Sequence, residues 1–302
     1  TTLTEKFLLY GGAINTAGSV KGKANSKYAV SDWMEIEKER GISVTSSVLQ
    51  FNYDGYCINI LDTPGHQDFS EDTYRTLMAV IDASKGVEAQ TIKLFKVCVM
   101  RHIPIFTFIN KMDLEARDSF ELLDEIENVL GIRTCPINWP IGAGKRFKGV
   151  YDRDTKKVSM FQAVSVGGAK SAAETDYDVT DPALKDAVGD ELYAQLMDEI
   201  ELLDGASDEF DQELVDKGEL SPVFFGSALT TFGVQTFLEH FLKMTQSPLP
   251  RMSDAGLIDP ITEPFSGFVF KIQANMNKAH HDRIAFMRIS SGKFDATKEV
   301  YH

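Results

Sequence analysis

The sequence predicts an α/β fold: a doubly wound, mostly parallel sheet with an acidic helical insertion, followed by the start of a β-barrel domain. Three observations carry this prediction. Short apolar runs that read as buried strands alternate with amphipathic helical patterns, the rhythm of a parallel sheet covered by helices. Three of those runs end in polar motifs, Asp62-Thr63-Pro64-Gly65, Asn110-Lys111-Met112-Asp113 and Ser227-Ala228-Leu229. Open α/β sheets hold their ligands at the carboxyl ends of strands, where these motifs fall. Past Ser247 the helical patterns stop and only strands follow.

Leu3, Phe7 and Leu8 share one helical face, and Gly11-Gly12 ends that pattern. Residues 15–30 are small and polar, with Lys21, Lys23 and Lys27, which suits a loop. Asp32 followed by Glu35 forms a capping box for a short helix from Trp33 to Glu39, and Arg40-Gly41-Ile42-Ser43 comes next. Val48 to Tyr53 and Tyr56 to Leu61 read as strands joined by Asp54-Gly55, a hairpin signal because both turn positions need positive φ. An amphipathic helix is expected from about Ser70 to Val80, running straight into Ile81-Asp82-Ala83. Helices over Ala89 to His102 and Ser119 to Leu130 flank a strand from Ile103 to Ile109.

Trp139 to Ala163 reads as loop and short strands, and a helix then carries Val188, Leu192, Leu196 and Ile200 at four-residue spacing. A strand from Pro222 to Phe225 and a helix with Val234, Phe237, Leu238 and Phe241 complete a first domain, residues 1–246, with its insertion at about 140–220. Residues 247–264 read as a Pro- and Ser-containing linker. Strands from Phe265 to Gln273 and Arg283 to Ile289, with a turn at Ser290-Ser291-Gly292-Lys293, open a barrel over 265–302.

The 302 residues leave room for one large α/β domain and part of a second. No apolar run approaches the roughly 20 residues a membrane helix needs, so no membrane partner is expected. Cys57, Cys98 and Cys135 have no metal-ligand spacing and fit a reducing cytoplasm, the expected location. The net charge of −14 is concentrated: residues 174–219 hold 17 acidic and 2 basic side chains, and the remainder 28 acidic and 29 basic. The acidity is one patch, so contact with RNA through another face stays open.

The three motifs together point to a guanine-nucleotide site. Guanine presents N1–H and its exocyclic amine side by side, and one carboxylate accepts both. Asp113 suits that role, whereas adenine would leave the acid unsatisfied. Asn110 can bond the base edge and brace neighbouring loops, the Lys111 stem can cover the ring face, and backbone N–H groups near Ala228 can serve the guanine carbonyl. Pro64-Gly65 lets the backbone approach a ligand closely. Taken singly, Asp113 could equally be a helix cap, Lys111 a solvated lysine and His66 an exposed loop histidine.

With these motifs, Ser31-Asp32-Trp33-Met34-Glu35 leading to Arg40-Gly41-Ile42-Ser43, and Phe268 to Met276, the chain resembles the translational GTPases, most closely the branch that works in translation termination. The likeness covers essentially all 302 residues and implies a P-loop GTPase type of first domain. It implies GTP/GDP and Mg²⁺ as ligands. Thr1 is then a Mg²⁺ ligand and Thr2 lies near the α-phosphate. Ser43 is the second, switchable Mg²⁺ ligand, with Thr45 its rival. Asp62 holds Mg²⁺ through a water, the Gly65 amide senses the γ-phosphate, and His66 orients the attacking water. Phosphoryl transfer needs mainly positioning and charge stabilisation, so a polar ring beside the γ-phosphate suffices. Asn110, Lys111, Asp113, Ser227, Ala228 and Leu229 bind the base.

The implied function is GTP hydrolysis, stimulated by the ribosome, that removes a decoding peptide release factor after peptide release. The implied partners are ribosomal RNA and proteins and that release factor, the expected state a monomer. The regions from Lys21 to Ser47 and from Asp62 to Ser70 are the expected moving parts. An elongation-type translocase and a nucleotide-free binding module are the rival readings. The resemblance also implies a strand and phosphate loop just before Thr1, a buried strand of about six residues between Val80 and Ile81, and a third domain, none of which the sequence contains. Gly144-Lys145 is a decoy for the phosphate loop, with Trp139 where its first glycine belongs and Arg146 where its hydroxyl belongs.

Overall fold

The structure, a computed structural model, describes residues 1–15, 47–62, 76–100, 102–162, 173–248, 250–254, 256–262, 264–274 and 283–301. The helix expected from Trp33 to Glu39, most of the loop at 15–30, and the motif residues Thr63 to Ser70 lie outside them. The chain divides into two compact units, Thr1–Met244 and Thr245–His302.

In the first unit, α1 (Thr2–Tyr10) buries Leu3, Phe7 and Leu8, as its periodicity requires. Gly11 ends it, and a Cβ there would lie 2.2 Å from the Phe51 ring, so only glycine admits that ring. Phe51 sits in the hairpin of β1 (Ser47–Tyr53) and β2 (Tyr56–Asp62), an antiparallel pair turned by Asp54 at φ 47 and Gly55 at φ 79. The Asp-Gly signal thus sets the register from Tyr53↔Tyr56 outward.

The next element departs from expectation. Leu77–Asp82 is a strand, β3, not the end of a helix, and it pairs in parallel with β4 (Ile105–Asn110) from Leu77↔Ile105 to Asp82↔Asn110. A six-residue apolar run fits either period, and the exposed edge of β4 decides it: pairing satisfies backbone groups that a helix there would leave unpaired. The sheet position expected for a strand between Val80 and Ile81 is therefore filled by Leu77–Asp82 itself. The part of that helix from Ser70 to Arg75 lies outside the described residues.

Between β3 and β4 runs α2 (Ala89–Met100), and after β4 comes α3 (Ser119–Leu130). Asp118 caps α3, its carboxylate accepting from the amides of Phe120 and Glu121 at 2.9 and 3.1 Å. Strand β5 (Arg133–Pro136) leads to an antiparallel sheet of β6 (Asn138–Ile141), β7 (Gly149–Asp152), β8 (Lys157–Gln162) and β9 (Ala173–Asp178). The acidic segment then forms α4 (Pro182–Val188), α5 (Asp190–Ala206) and α6 (Gln212–Asp216). Its apolar stripe was expected on one helix, but Gly189 at φ 91 divides it: Val188 ends α4, and α5 buries Leu192, Leu196 and Leu203 while Ile200 is only partly covered.

Strand β10 (Leu220–Phe225) and α7 (Val234–Met244) complete the unit. The main sheet has the order β3-β4-β10-β5, all parallel. Both faces are covered, so its strands are apolar on both sides. On one face Phe106, Phe108 and Phe224 meet α1 and α7, with Phe237 stacking on Phe7 and edge-on to Phe108 and Phe224 at 4.9–5.6 Å between ring centres. On the other, Ile105, Ile109 and Phe225 meet Trp139, Leu122 and Ile126.

In the second unit a small hairpin, β11 (Arg251–Ser253) with β12 (Gly256–Ile258), occupies part of the stretch read as a linker. A longer antiparallel pair follows, β13 (Ser266–Ala274) and β14 (Arg283–Ser291), with β14 running two residues past the expected end.

Candidate functional site

The parallel strands deliver their loops to one end of the sheet. Asp82 pairs with Asn110 and Ile109 with Phe225, so the segments after β3, β4 and β10 leave side by side. Asn110 ties two of them together. Its Oδ1 accepts from the Lys111 amide and from the Ala228 amide, each at 2.8 Å. Two backbone bonds reinforce the join, Gly226 N–H to Ile109 at 3.0 Å and Met112 N–H to Gly226 at 3.1 Å. Ser227 is fully buried, its amide donating to Phe232 at 2.8 Å and its hydroxyl accepting from Thr230 N–H at 3.2 Å, while Leu229 is exposed.

Asp113 follows Met112, which is buried and anchors the loop. The Asp113 Oδ1 is buried and has no hydrogen-bond partner among the described residues. A buried carboxylate oxygen left without a donor is costly. Such an oxygen can accept from a group outside the chain, and the paired donors of guanine are of the kind it would take. The Ala228 amide is already engaged by Asn110.

Lys111 has a left-handed backbone, φ 71, and its ammonium lies 2.5 Å from Asp82 Oδ2. The other oxygen of Asp82 accepts from the Ser84 amide at 3.0 Å and hydroxyl at 2.7 Å. Burial alone would push the Asp82 carboxyl up, but the bonds from Lys111 and Ser84 outweigh it and hold it below the usual carboxylate range. Asp82 was not among the expected site residues. The available signal was an acid at the carboxyl end of an apolar run, the same signal that singled out Asp62.

Two further residues brace the loops and were not foreseen. Asn138, fully buried at the start of β6, accepts from the Phe225 amide at 2.6 Å and donates to the Phe225 carbonyl at 3.1 Å. Gly144, in a 3₁₀ turn, donates its amide to Met112 at 2.8 Å. Gly144 thus supports the Asn110–Asp113 loop.

At the other candidate position, the Thr1 amine lies 3.3 Å from Asp62 Oδ1 and 3.2 Å from Oδ2. Asp62 ends β2 and Thr1 is the N-cap of α1. A carboxylate such as that of Asp62 is the kind of hard oxygen donor that fits Mg²⁺. Thr2 opens α1, where backbone N–H groups favour an anion. Ser43, Thr45, Gly65 and His66 lie outside the described residues. No helix among the described residues is long and apolar enough to cross a membrane.

Residues 1–247 match the elongation factor Tu GTP binding domain family, and residues 264–302 match elongation factor G domain 2. The chain therefore belongs to the family of GTP-binding domains typified by elongation factor Tu: it is a translational GTPase domain of α/β architecture with a second, β-stranded unit. Among its relatives are two proteins named peptide chain release factor 3. The one from Symbiobacterium thermophilum is 61% identical, covering 100% of this chain and 58% of that protein, and the one from Synechocystis is 54% identical, covering 100% and 56%. A crystal structure from Thermus thermophilus has the same fold, with a TM-score of 0.69 at 22% identity, covering 97% of this chain and 43% of that one. The chain spans a little over half the length of the curated relatives it matches.

Proposed function

We propose that this chain is the GTP-binding and GTP-hydrolysing part of a translation termination factor that promotes dissociation of a decoding release factor from the ribosome. The observation that carries the guanine assignment is the buried, unpartnered Asp113 Oδ1 beside loops locked by Asn110. The termination role rests on the relatives named peptide chain release factor 3. Residues 1–246 act as the nucleotide domain with an insertion at about 140–220, and 265–302 begin a barrel domain after the 247–264 linker. The protein works in the cytoplasm as a monomer, with ribosomal RNA and proteins as its stimulating surface.

In this reading Asp113 accepts both donors of guanine, the Lys111 stem covers the ring, and the Ser227-Ala228-Leu229 segment lies against the base edge. Thr1 and Asp62 hold Mg²⁺ with Ser43 or Thr45, and Thr2 meets the α-phosphate. Bound there, Mg²⁺ supplies neutralisation of the charge that phosphoryl transfer develops. The Gly65 amide reads the γ-phosphate and His66 orients the attacking water. Loss of the γ-phosphate removes contacts made in only one state, which is what allows it to bias a switch.

Titration of the protein with fluorescent GTP, GDP and ATP tests the assignment. Guanine nucleotides bind at least a hundredfold more tightly than ATP, because a site built for paired donors rejects a base lacking them by large factors. Equal affinity for ATP contradicts the role of Asp113.

A further inference from the structure

We propose that Asp82 is a positioning residue for the base: it holds the Lys111 side chain over the guanine ring. The proposal rests on the guanine reading above and extends it to a residue outside the three motifs. The geometry that supports it is local and complete. Asp82 ends β3 directly opposite Asn110 on β4, and the backbone continues the contact, with Ala83 N–H donating to Asn110 at 2.9 Å. One oxygen of Asp82 faces the Lys111 ammonium at 2.5 Å. The other is held by the Ser84 amide and hydroxyl, so the carboxylate has a fixed orientation. Its carbonyl is also engaged, accepting from the amides of Lys85 and Gly86 at 3.0 and 2.8 Å.

Lys111 itself is 46% exposed along its side chain, and a lysine with that much freedom ordinarily samples many rotamers. Here both of its ends are fixed. The backbone is held in the left-handed region while Oδ1 of Asn110 accepts its amide, and the ammonium is held by Asp82. The four-carbon stem between these points becomes a preformed apolar shelf. A ligand that stacks on it does not have to order it first, and ordering one such side chain costs a measurable part of binding. With the ammonium committed to Asp82, Lys111 acts through its stem, as a base-plane residue.

The test is a double-mutant cycle on the full chain, read by titration of fluorescent GDP, with thermal unfolding of each variant as a control. Asp82→Asn is expected to weaken GDP binding about three- to tenfold, the range set by releasing one rotamer-rich side chain. Lys111→Met keeps the stem and removes the ammonium. In that background Asp82→Asn is expected to change GDP affinity by less than about twofold, because its partner is gone. Ser84→Ala, which removes one of the bonds orienting Asp82, is expected to give a smaller loss that also vanishes with Lys111→Met. An Asp82→Asn effect that persists undiminished in the Lys111→Met background, or an unchanged affinity in Asp82→Asn, overturns the positioning role. If the parent protein binds GDP tightly and the cycle still shows no coupling, the guanine site stands and only the role of Asp82 falls. If the parent binds ATP as well as GDP, both readings fall together.

Discussion

Asn138→Ala tests how far the base loops depend on a single buried amide. Asn138 is fully buried, and its side chain makes two bonds to the backbone of Phe225, at 2.6 and 3.1 Å. Alanine removes both and leaves the N–H and carbonyl of Phe225 buried without these partners. Each such loss costs about 1–3 kcal/mol, and partial rescue by a water in the vacated space lowers the sum, so a loss of about 2–4 kcal/mol is expected. That is a large fraction of the roughly 5–15 kcal/mol that holds a typical domain together. Urea unfolding provides the assay, followed by the fluorescence of Trp139, fully buried one residue away, and by far-ultraviolet circular dichroism. The transition midpoint should fall well below that of the parent. Because Phe225 leads directly into Gly226-Ser227-Ala228, fluorescent GDP should also bind more weakly at urea concentrations where the variant is still folded. A variant whose unfolding free energy stays within about 0.5 kcal/mol of the parent refutes the reasoning, since it would mean that the Phe225 backbone is satisfied without Asn138.

Other outcomes follow from the same geometry. Asp113→Asn should weaken GDP binding by about a hundredfold or more and improve binding of xanthosine diphosphate, whose carbonyl can accept from the new amide; parallel titrations of the two nucleotides measure it. Gly226→Ala should lower both the melting temperature and GDP affinity, because its Cβ would meet the Phe232 carbonyl oxygen at 2.5 Å and the Phe108 ring at 2.8 Å; differential scanning fluorimetry with and without GDP separates the two effects. Phe237→Ala should cost about 3–5 kcal/mol by emptying the centre of the aromatic cluster between α7 and the sheet, as read in urea. The Asp152 carboxyl predicts a pH effect. Burial raises its pKa, but the bond from His240 at 2.6 Å and the amides of Thr155 and Asp154 outweigh this and depress it. A depressed folded pKa gives stability that is present above the ordinary Asp value near about 4 and is lost as pH falls through the folded value. Melting temperatures recorded from neutral pH into the acid range should therefore drop less steeply for Asp152→Asn than for the parent.

What the sequence made legible was mostly local. Asp54-Gly55 specified a hairpin because two adjacent positive-φ positions leave few other choices, and the helix read over Ser119 to Leu130 has those bounds in the structure. The loop after β4 was legible as a loop because Asn110-Lys111-Met112-Asp113 closes an apolar strand, and Asn110 holds it to the Ala228 segment. The rest depended on partners far away in the chain. Leu77 to Asp82 carries no intrinsic preference strong enough to exclude a helix, and only the neighbouring edge of β4 settles it. Asn138 is an ordinary polar residue until β10 arrives beside it, 87 positions later. Asp82 gains meaning only from a lysine 29 positions away. The division of the acidic stripe at Gly189 escaped the reading because the four-residue spacing of its leucines runs across the break.

The 3₁₀ turn at Gly144 has a mechanical consequence. Its amide is fastened to Met112, Arg146 reaches Glu191 at 3.0 Å near the start of α5, and the Trp139 indole donates to Glu199 on the same helix at 2.6 Å. The acidic helix is thus linked, through β6 and the turn at Gly144–Arg146, to the peptide that precedes Asp113. The insertion and the Asn110–Asp113 loop therefore share one connecting turn, and changes at Trp139 or Gly144 touch both at once.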